Sequence, residues 1–239
     1  MNRNCKQAEA KEVEGILLVN KTKGKSSFNL VRILRKTLGV KKIGHAGTLD
    51  PFATGVMVML IGRRYTRLSD QFLLSDKEYE AEIRLGISTN TYDCEGEITS
   101  ESNLKPTLAE IEAAINHFQG EIEQIPPMFS AKKLQGKKLY DLAREGKTVE
   151  RAPVKIQVQI QLISYHYPFL CISVRCSKGT YIRSLGHDLG QKMGCGAHLS
   201  NLKRTRSGHF LLENCIDESA LTTTPHLTER FIHACTPAS

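Results

Sequence analysis

At 239 residues the chain can bury a full hydrophobic core without disulfides or a structural metal, and it fits one large domain or two small ones. Its 33 Lys and Arg exceed its 25 Asp and Glu, giving a formal charge of +8, which points to a polyanionic partner. The longest apolar run, residues 56–61, is far short of a membrane span, and the seven cysteines are odd in number with no C-x-x-C pair, which excludes a disulfide framework and a zinc ribbon and fits a reduced, cytoplasmic interior.

Residues 1–13 read as a polar tail with no apolar signal segment. The apolar run 15–19 predicts a buried strand. A Lys/Gly loop follows, then a helix opened by Ser26 or Ser27 that places Val31, Leu34 and Leu38 on one face and ends at Gly39, a left-handed cap. Residues 56–61 predict a second buried strand. From Lys77 to Leu85 the pattern alternates, with Tyr79, Ala81, Ile83 and Leu85 on one side and acids or Arg84 on the other. Thr107 and Glu110 form a capping box before Ile111, Ile115 and Phe118, with Gly120 as the helix stop. Residues 154–162 alternate as a long strand wet on one face, residues 170–176 form another, and Ile182, Leu185, Leu189 and Met193 mark a final helix. One-sided alternation favours antiparallel pairing, so the fold class is α+β: a mixed, mostly antiparallel sheet flanked by helices.

The positive charge is clustered. Lys21 to Lys42 holds eight basic residues and no acid, Lys132 to Arg151 is also basic, and Lys203, Arg204 and Arg206 form a third group. A single such group reads as a solvated face, whereas three in one chain read as a track for phosphates.

Lys23-Gly24-Lys25-Ser26-Ser27 is similar to the end of a phosphate-binding loop. Such a loop needs a glycine where this chain has Val19, so nucleotide hydrolysis is excluded. The stronger signal is Gly44-His45-Ala46-Gly47-Thr48-Leu49-Asp50-Pro51-Phe52-Ala53-Thr54-Gly55, between a basic helix and a buried strand. Asp before Pro is a common helix N-cap, and His45 alone is an ordinary loop histidine. The three glycines, however, allow a backbone to approach a bulky ligand closely.

Residues 44–55 resemble the signature of the bacterial tRNA pseudouridine-55 synthases. The resemblance runs on through Gly15-Ile16-Leu17-Leu18-Val19-Asn20-Lys21, Asp76-Lys77-Glu78-Tyr79, Gln124-Ile125-Pro126-Pro127-Met128-Phe129-Ser130-Ala131, Gln135-Gly136-Lys137-Lys138-Leu139-Tyr140 and Cys176-Ser177-Lys178-Gly179-Thr180-Tyr181-Ile182-Arg183. It closes with Gly194-Cys195-Gly196-Ala197-His198-Leu199 and Leu202-Lys203-Arg204.

That resemblance implies a pseudouridine synthase fold over residues 14–217, with an RNA-binding insertion at about 124–152 and a C-terminal tail, 218–239, in place of the separate RNA-binding domain of longer members. It implies Asp50 as the catalytic aspartate, Tyr79 as the ring that stacks on a flipped-out uracil, Arg183 as the partner of the aspartate, and Tyr181 and Leu202 as walls of the base pocket. His45 would hold the splayed T-loop, Lys21 would lie at the pocket's edge, and Lys132, Lys133, Lys137 and Lys138 would bind RNA. The partner implied is the T-arm of tRNA, with no metal; a monomer, away from membranes, is the default expectation. Where the family has Asp-Lys-Pro, this chain has Asn20-Lys21-Thr22, which questions the rigidity of that turn.

Isomerising uridine breaks the N1–C1′ bond, turns the base and joins C5 to C1′. No redox change occurs, so the reaction calls for no cofactor. A glycosidase needs two carboxylates, but uracil is a tolerable anionic leaving group that stays in the pocket, so one can suffice. Asp50, ionised, would act on the ribose or the base, either as a nucleophile or by removing a proton from the sugar. A tRNA-binding folding chaperone and a synthase directed by a guide RNA and partner proteins are the alternatives.

Overall fold

The computed structural model describes residues 13–130, 132–134 and 136–233. In chain order its elements are β1 (Gly15–Lys21), α1 (Ser27–Leu38), β2 (Ile43–His45), β3 (Thr54–Ile61), α2 (Gly62–Thr66), α3 (Ser69–Leu73), β4 (Lys77–Leu85), β5 (Ile87–Thr89), β6 (Ile98–Glu101) and α4 (Leu108–His117). There follow β7 (Gly120–Gln124), β8 (Lys133–Leu134), β9 (Lys137–Lys138), α5 (Leu139–Arg144), β10 (Val154–His166), β11 (Phe169–Cys176), α6 (Ile182–Lys192), β12 (Ala197–Ser207), β13 (Phe210–Leu211) and β14 (Ile216–Asp217).

Among the described residues one ten-stranded sheet dominates, in the order β14-β1-β3-β12-β4-β11-β10-β7, with β2 beside β3 and β13 beside β12. Only β14 with β1 and β12 with β3 run parallel. The other ladders of this sheet are antiparallel. The fold is therefore α+β with a mixed, mostly antiparallel sheet, as one-sided alternation predicts. In β4 the odd residues Lys77 to Leu85 are buried and the even ones are not, so the strand's inner face joins Leu30, Val31 and Leu34 of α1 and Leu185 and Leu189 of α6 in one core. No helix among the described residues is long and apolar enough to cross a membrane.

The termini of the elements follow local chemistry, with two departures. Gly39 caps α1 at φ 67, and the Thr107–Glu110 capping box opens α4, worth about 1 kcal/mol. Ser26 takes the extended N-cap conformation of α1 but makes no capping bond. Gly120 does not stop α4, which ends at His117 with Phe118 as its cap; the glycine, at φ 84, opens β7 instead. Asp50 and Pro51 start no helix. They form a turn between β2 and β3, closed by the Ala53 amide donating to the Asp50 carbonyl at 3.1 Å.

Beyond β14 the chain packs back onto the sheet. Leu221, Leu227 and Phe231 join the core, Ile232 exchanges two backbone bonds with Ile16, and Glu218 is buried. Its Oε2 accepts from the Thr22 amide (2.9 Å) and hydroxyl (2.7 Å). That amide would be missing in an Asn-Lys-Pro turn. The turn after β1 is thus held by a side-chain clamp where a proline ring would otherwise stiffen it.

Candidate active site

The Asp50 turn is fixed from below by three side chains. Ser27, the first residue of α1, accepts from the Leu49 amide and donates to the Leu49 carbonyl, both at 2.9 Å. Lys21, at the end of β1, is wholly buried, and its ammonium donates to the carbonyls of Ala53 (2.6 Å), Pro51 (3.1 Å) and Thr22 (3.0 Å). Arg204 of β12 is 1 % exposed, and its guanidinium donates to the carbonyls of Val56 (2.8 Å) and Gly47 (3.1 Å). Burial pushes the Lys21 ammonium down to about 8, opposed by Glu218 and Asp50. The three carbonyls accept its N–H groups, so the buried ammonium is left with no unmade hydrogen bond to them.

Above this floor the Asp50 side chain is 35 % exposed, and Arg183 of α6, 7 % exposed, pairs with it: Nε lies 2.9 Å from Oδ2 and Nη2 3.4 Å from Oδ1. The guanidinium is held by others as well. Nη2 donates to the Phe129 carbonyl at 2.8 Å, Nη1 donates to the Thr91 carbonyl at 3.0 Å, and Nη1 lies 3.4 Å from Oδ2 of buried Asp93. Asp93 is fixed in turn: its Oδ1 accepts from the Thr91 hydroxyl (2.6 Å) and the Glu95 amide (3.1 Å). Two carboxylates share one guanidinium, so the cluster keeps one surplus negative charge, and the exposed member is Asp50. Burial pushes the Asp50 carboxyl above its usual range, with Arg183 opposing and Asp93 adding to the rise.

Tyr79 lies on the buried face of β4, opposite Arg204 on β12 and Val174 on β11. Burial pushes its phenol upward, Arg204 opposes this, and the charge on Asp50 adds a small rise, so the ring is neutral and shares the site with both. Leu202, 4 % exposed, sits two residues before Arg204 on β12. Tyr181 is the N-cap of α6, and its backbone is bound twice by the Gln124 side chain, at 2.8 and 3.0 Å. His45 lies on β2, its Nδ1 buried and unpaired, and burial followed by Arg204 lowers its pKa.

Asp50, Arg183, Tyr79 and Lys21 are therefore brought together, with His45 coupled to them through Arg204. Lys21 lies under the turn and not at a pocket rim. Lys132 and Lys137 are exposed on the β8–β9 hairpin, 2 residues per strand. The side chains of Lys133 and Lys138, like Ala131 and Gln135, lie outside the described residues. The third basic cluster is no free surface: Arg204 is buried, Arg206 pairs with Asp76 (2.9 Å) and Glu78 (2.7 Å), and Lys203 pairs with Glu80 (3.4 Å). Among the described residues no group of three or more His, Cys, Asp or Glu is placed to hold a metal ion. The sequence reading missed Ser27, Asp93 and the inward turn of Arg204. Gly55, expected to admit a ligand, instead admits the backbone of Arg204, which a Cβ at φ 104 would strike.

The fold and this site define a pseudouridine synthase. A chain in the crystal structure of a Cbf5-Nop10-Gar1 complex superposes with a TM-score of 0.69 at 30 % identity, over 87 % of this chain and 53 % of that one. A structure of an H/ACA RNP bound to a substrate RNA containing 2′-deoxyuridine gives 0.67 at 26 % identity, over 92 % and 58 %. The present chain thus spans little more than half of those chains. Residues 35–182 match the N-terminal domain of the TruB family of pseudouridylate synthases, and residues 183–234 match the tRNA pseudouridylate synthase B C-terminal domain. The tRNA pseudouridine synthase B of Protochlamydia amoebophila (strain UWE25) is 67 % identical over 92 % of this chain and 84 % of its own length. That of Clostridium novyi (strain NT) is 47 % identical over 88 % and 73 %. The chain belongs to the TruB family and is an enzyme of pseudouridine synthesis.

Proposed function

We propose that this chain converts uridine to pseudouridine at position 55 in the T-loop of tRNA, with Asp50 as the acting carboxylate. The observation that carries the reading is the pairing of a part-exposed Asp50 with a buried Arg183 at 2.9 Å, on a turn clamped by Lys21, Ser27 and Arg204. Relatives bearing the name tRNA pseudouridine synthase B support tRNA as the substrate.

The target base is stacked within a folded loop, so it must be flipped out, and a buried aromatic face such as Tyr79 offsets the lost stacking by about 1–3 kcal/mol. Leu202 and Tyr181 line the space the base enters. Asp50 then acts on the ribose as an anion, by attack or by taking a proton. Both routes need it ionised and aimed, and Arg183 does both. The N1–C1′ bond breaks, the retained uracil turns, C5 joins C1′, and the proton on C5 leaves while N1 regains one. Atoms balance with no second substrate. The lysines of the 124–152 insertion, among them Lys132, Lys133, Lys137 and Lys138, contact phosphates, and His45 contacts the splayed loop. Residues 14–217 form the catalytic unit, onto which residues 218–233 pack.

The test is pure protein with an unmodified tRNA transcript, pseudouridine being located by chemical mapping. Product at position 55 is expected from the protein alone, and Asp50→Asn should bind the transcript but make none. Product only when a guide RNA and partner proteins are added would favour a synthase directed by such a guide. Binding with no product under either condition would leave a tRNA folding chaperone.

A further inference from the structure

The loop that holds Arg183 contains a backbone outlier. Tyr92 has φ 64, a left-handed conformation that costs a side-chain-bearing residue roughly 1–2 kcal/mol. It sits between the two residues that grip the guanidinium, Thr91 through its carbonyl and Asp93 through its carboxylate. Its amide donates to the Thr89 carbonyl at 3.2 Å, and its carbonyl accepts from the Leu199 amide at 3.0 Å. These bonds fix the backbone on the β5 and β12 side of the loop. On the other side the Tyr92 ring lies flat on His187, centroids 3.9 Å apart and planes 15° from parallel.

His187 is one helical turn after Arg183 on α6, so the two side chains project from one face of that helix onto the same loop. The imidazole is not there for its Nδ1, which is buried without a hydrogen-bond partner. Burial also lowers its pKa, leaving a neutral flat ring against the phenol. What the geometry uses is its face.

We infer that the His187–Tyr92 stack positions the catalytic pair, by fixing the Thr91–Asp93 turn against α6 and hence Arg183 against Asp50. The inference rests on the synthase reading above. His187 and Tyr92 are positioning residues and touch no substrate. A loop free to drift on that side would let Arg183 follow Asp93 away from Asp50, and a misplacement near 1 Å costs up to about 100-fold in rate.

The experiment is single-turnover pseudouridine formation on a tRNA transcript, with transcript affinity and melting temperature measured in parallel. His187→Ala and Tyr92→Ala should each lower the rate roughly tenfold or more with affinity unchanged, and the double variant should be no slower than the slower single. His187→Phe, which restores a flat face, should recover most of the rate. Tyr92→Gly separates stacking from folding: glycine accepts φ 64 without strain, so the variant should melt no lower than wild type yet be as slow as Tyr92→Ala. Wild-type rates in Tyr92→Gly, or a His187→Phe variant as slow as His187→Ala, would overturn the inference. An inactive wild-type protein overturns the synthase reading itself and the inference with it, whereas an active wild type beside unaffected variants removes only the stack.

Discussion

The sharing of one guanidinium by two carboxylates predicts how the enzyme titrates. Asp93 and Asp50 face each other across Arg183, with oxygen-to-nitrogen distances of 3.4 and 2.9 Å. At a separation of roughly 6–8 Å and an effective dielectric near 20, their repulsion is about 2–3 kcal/mol. Arg183 between them and the 35 % exposure of Asp50 screen part of this, and the sign that survives is a rise in the Asp50 pKa. The sign follows from the charge that activity requires. With Asp50 acting as an anion, as proposed, and its pKa raised, the rate should fall as pH drops through that raised value. Asp93→Asn removes the anion that disfavours ionisation, so the acid limb of the rate profile should move to lower pH. The substitution keeps an Oδ1 for the Thr91 hydroxyl and the Glu95 amide, so the loop survives. An amide facing Nη1 aims Arg183 less well, and the plateau should also fall, by roughly tenfold or more. Single-turnover release of tritium from 5-tritiated uridine in tRNA, from about pH 4 to 8, reads limb and plateau separately. A limb at the wild-type pH, whatever the plateau does, would refute the coupling of these two acids.

Asp50→Asn should abolish turnover while melting at or above the wild-type temperature at neutral pH, because Arg183 keeps Asp93 as a partner and a carboxyl with a raised pKa contributes stability that is lost as pH rises through it. Arg204→Met should cost about 3 kcal/mol in denaturant unfolding, since the Val56 and Gly47 carbonyls lose a charged donor in a buried place. Gly55→Ala should cost on the order of 3 kcal/mol in the same assay, from positive φ and from the Arg204 backbone it would strike. Replacing Lys132, Lys133, Lys137 and Lys138 by Gln should weaken tRNA binding and reduce the slope of log K against log salt by about one for each phosphate no longer neutralised, with the rate on bound tRNA unchanged.

Much of this was readable in the residues. The alternation of β4 gives its inner face directly, and the clustering of glycines around Asp50 marks the turn before its hydrogen bonds are known. Strand parity carries still more. Leu17, Val19 and Lys21 are successive odd residues of β1, so an inward Leu17 and Val19 require an inward Lys21. Leu202 and Arg204 stand in the same relation on β12, and charge alone placed Arg204 on the surface, where parity places it inside. Asp93 was illegible for a different reason. Its turn signals are local, but its meaning depends on α6, far along the chain, arriving beside it. No periodicity predicts that meeting. The same holds for Glu218, whose clamp on Thr22 exists only because β14 runs parallel to β1.

The partners chosen by the buried cations explain the charge pattern that first marked the sequence. Between Lys21 and Arg67 there are eleven basic residues and a single acid, Asp50. Lys21 and Arg204 are both desolvated, a condition usually relieved by a carboxylate, yet each is satisfied by carbonyls of the Asp50 turn or the residues flanking it. Carbonyls supply acceptors without net charge. A carboxylate added at either position would raise the Asp50 pKa further, as Asp93 already does. Clamping the turn through its own backbone rigidifies the carboxylate without placing a further charge on it. Arg183 is the exception because it must touch Asp50, and its second carboxylate, Asp93, is buried at 5 % exposure on the side away from solvent. The proposed reaction, on a polyanion with an ionised Asp50, is served by this division: Lys21 and Arg204 donate to carbonyls of the turn, and Arg183 takes the two carboxylates.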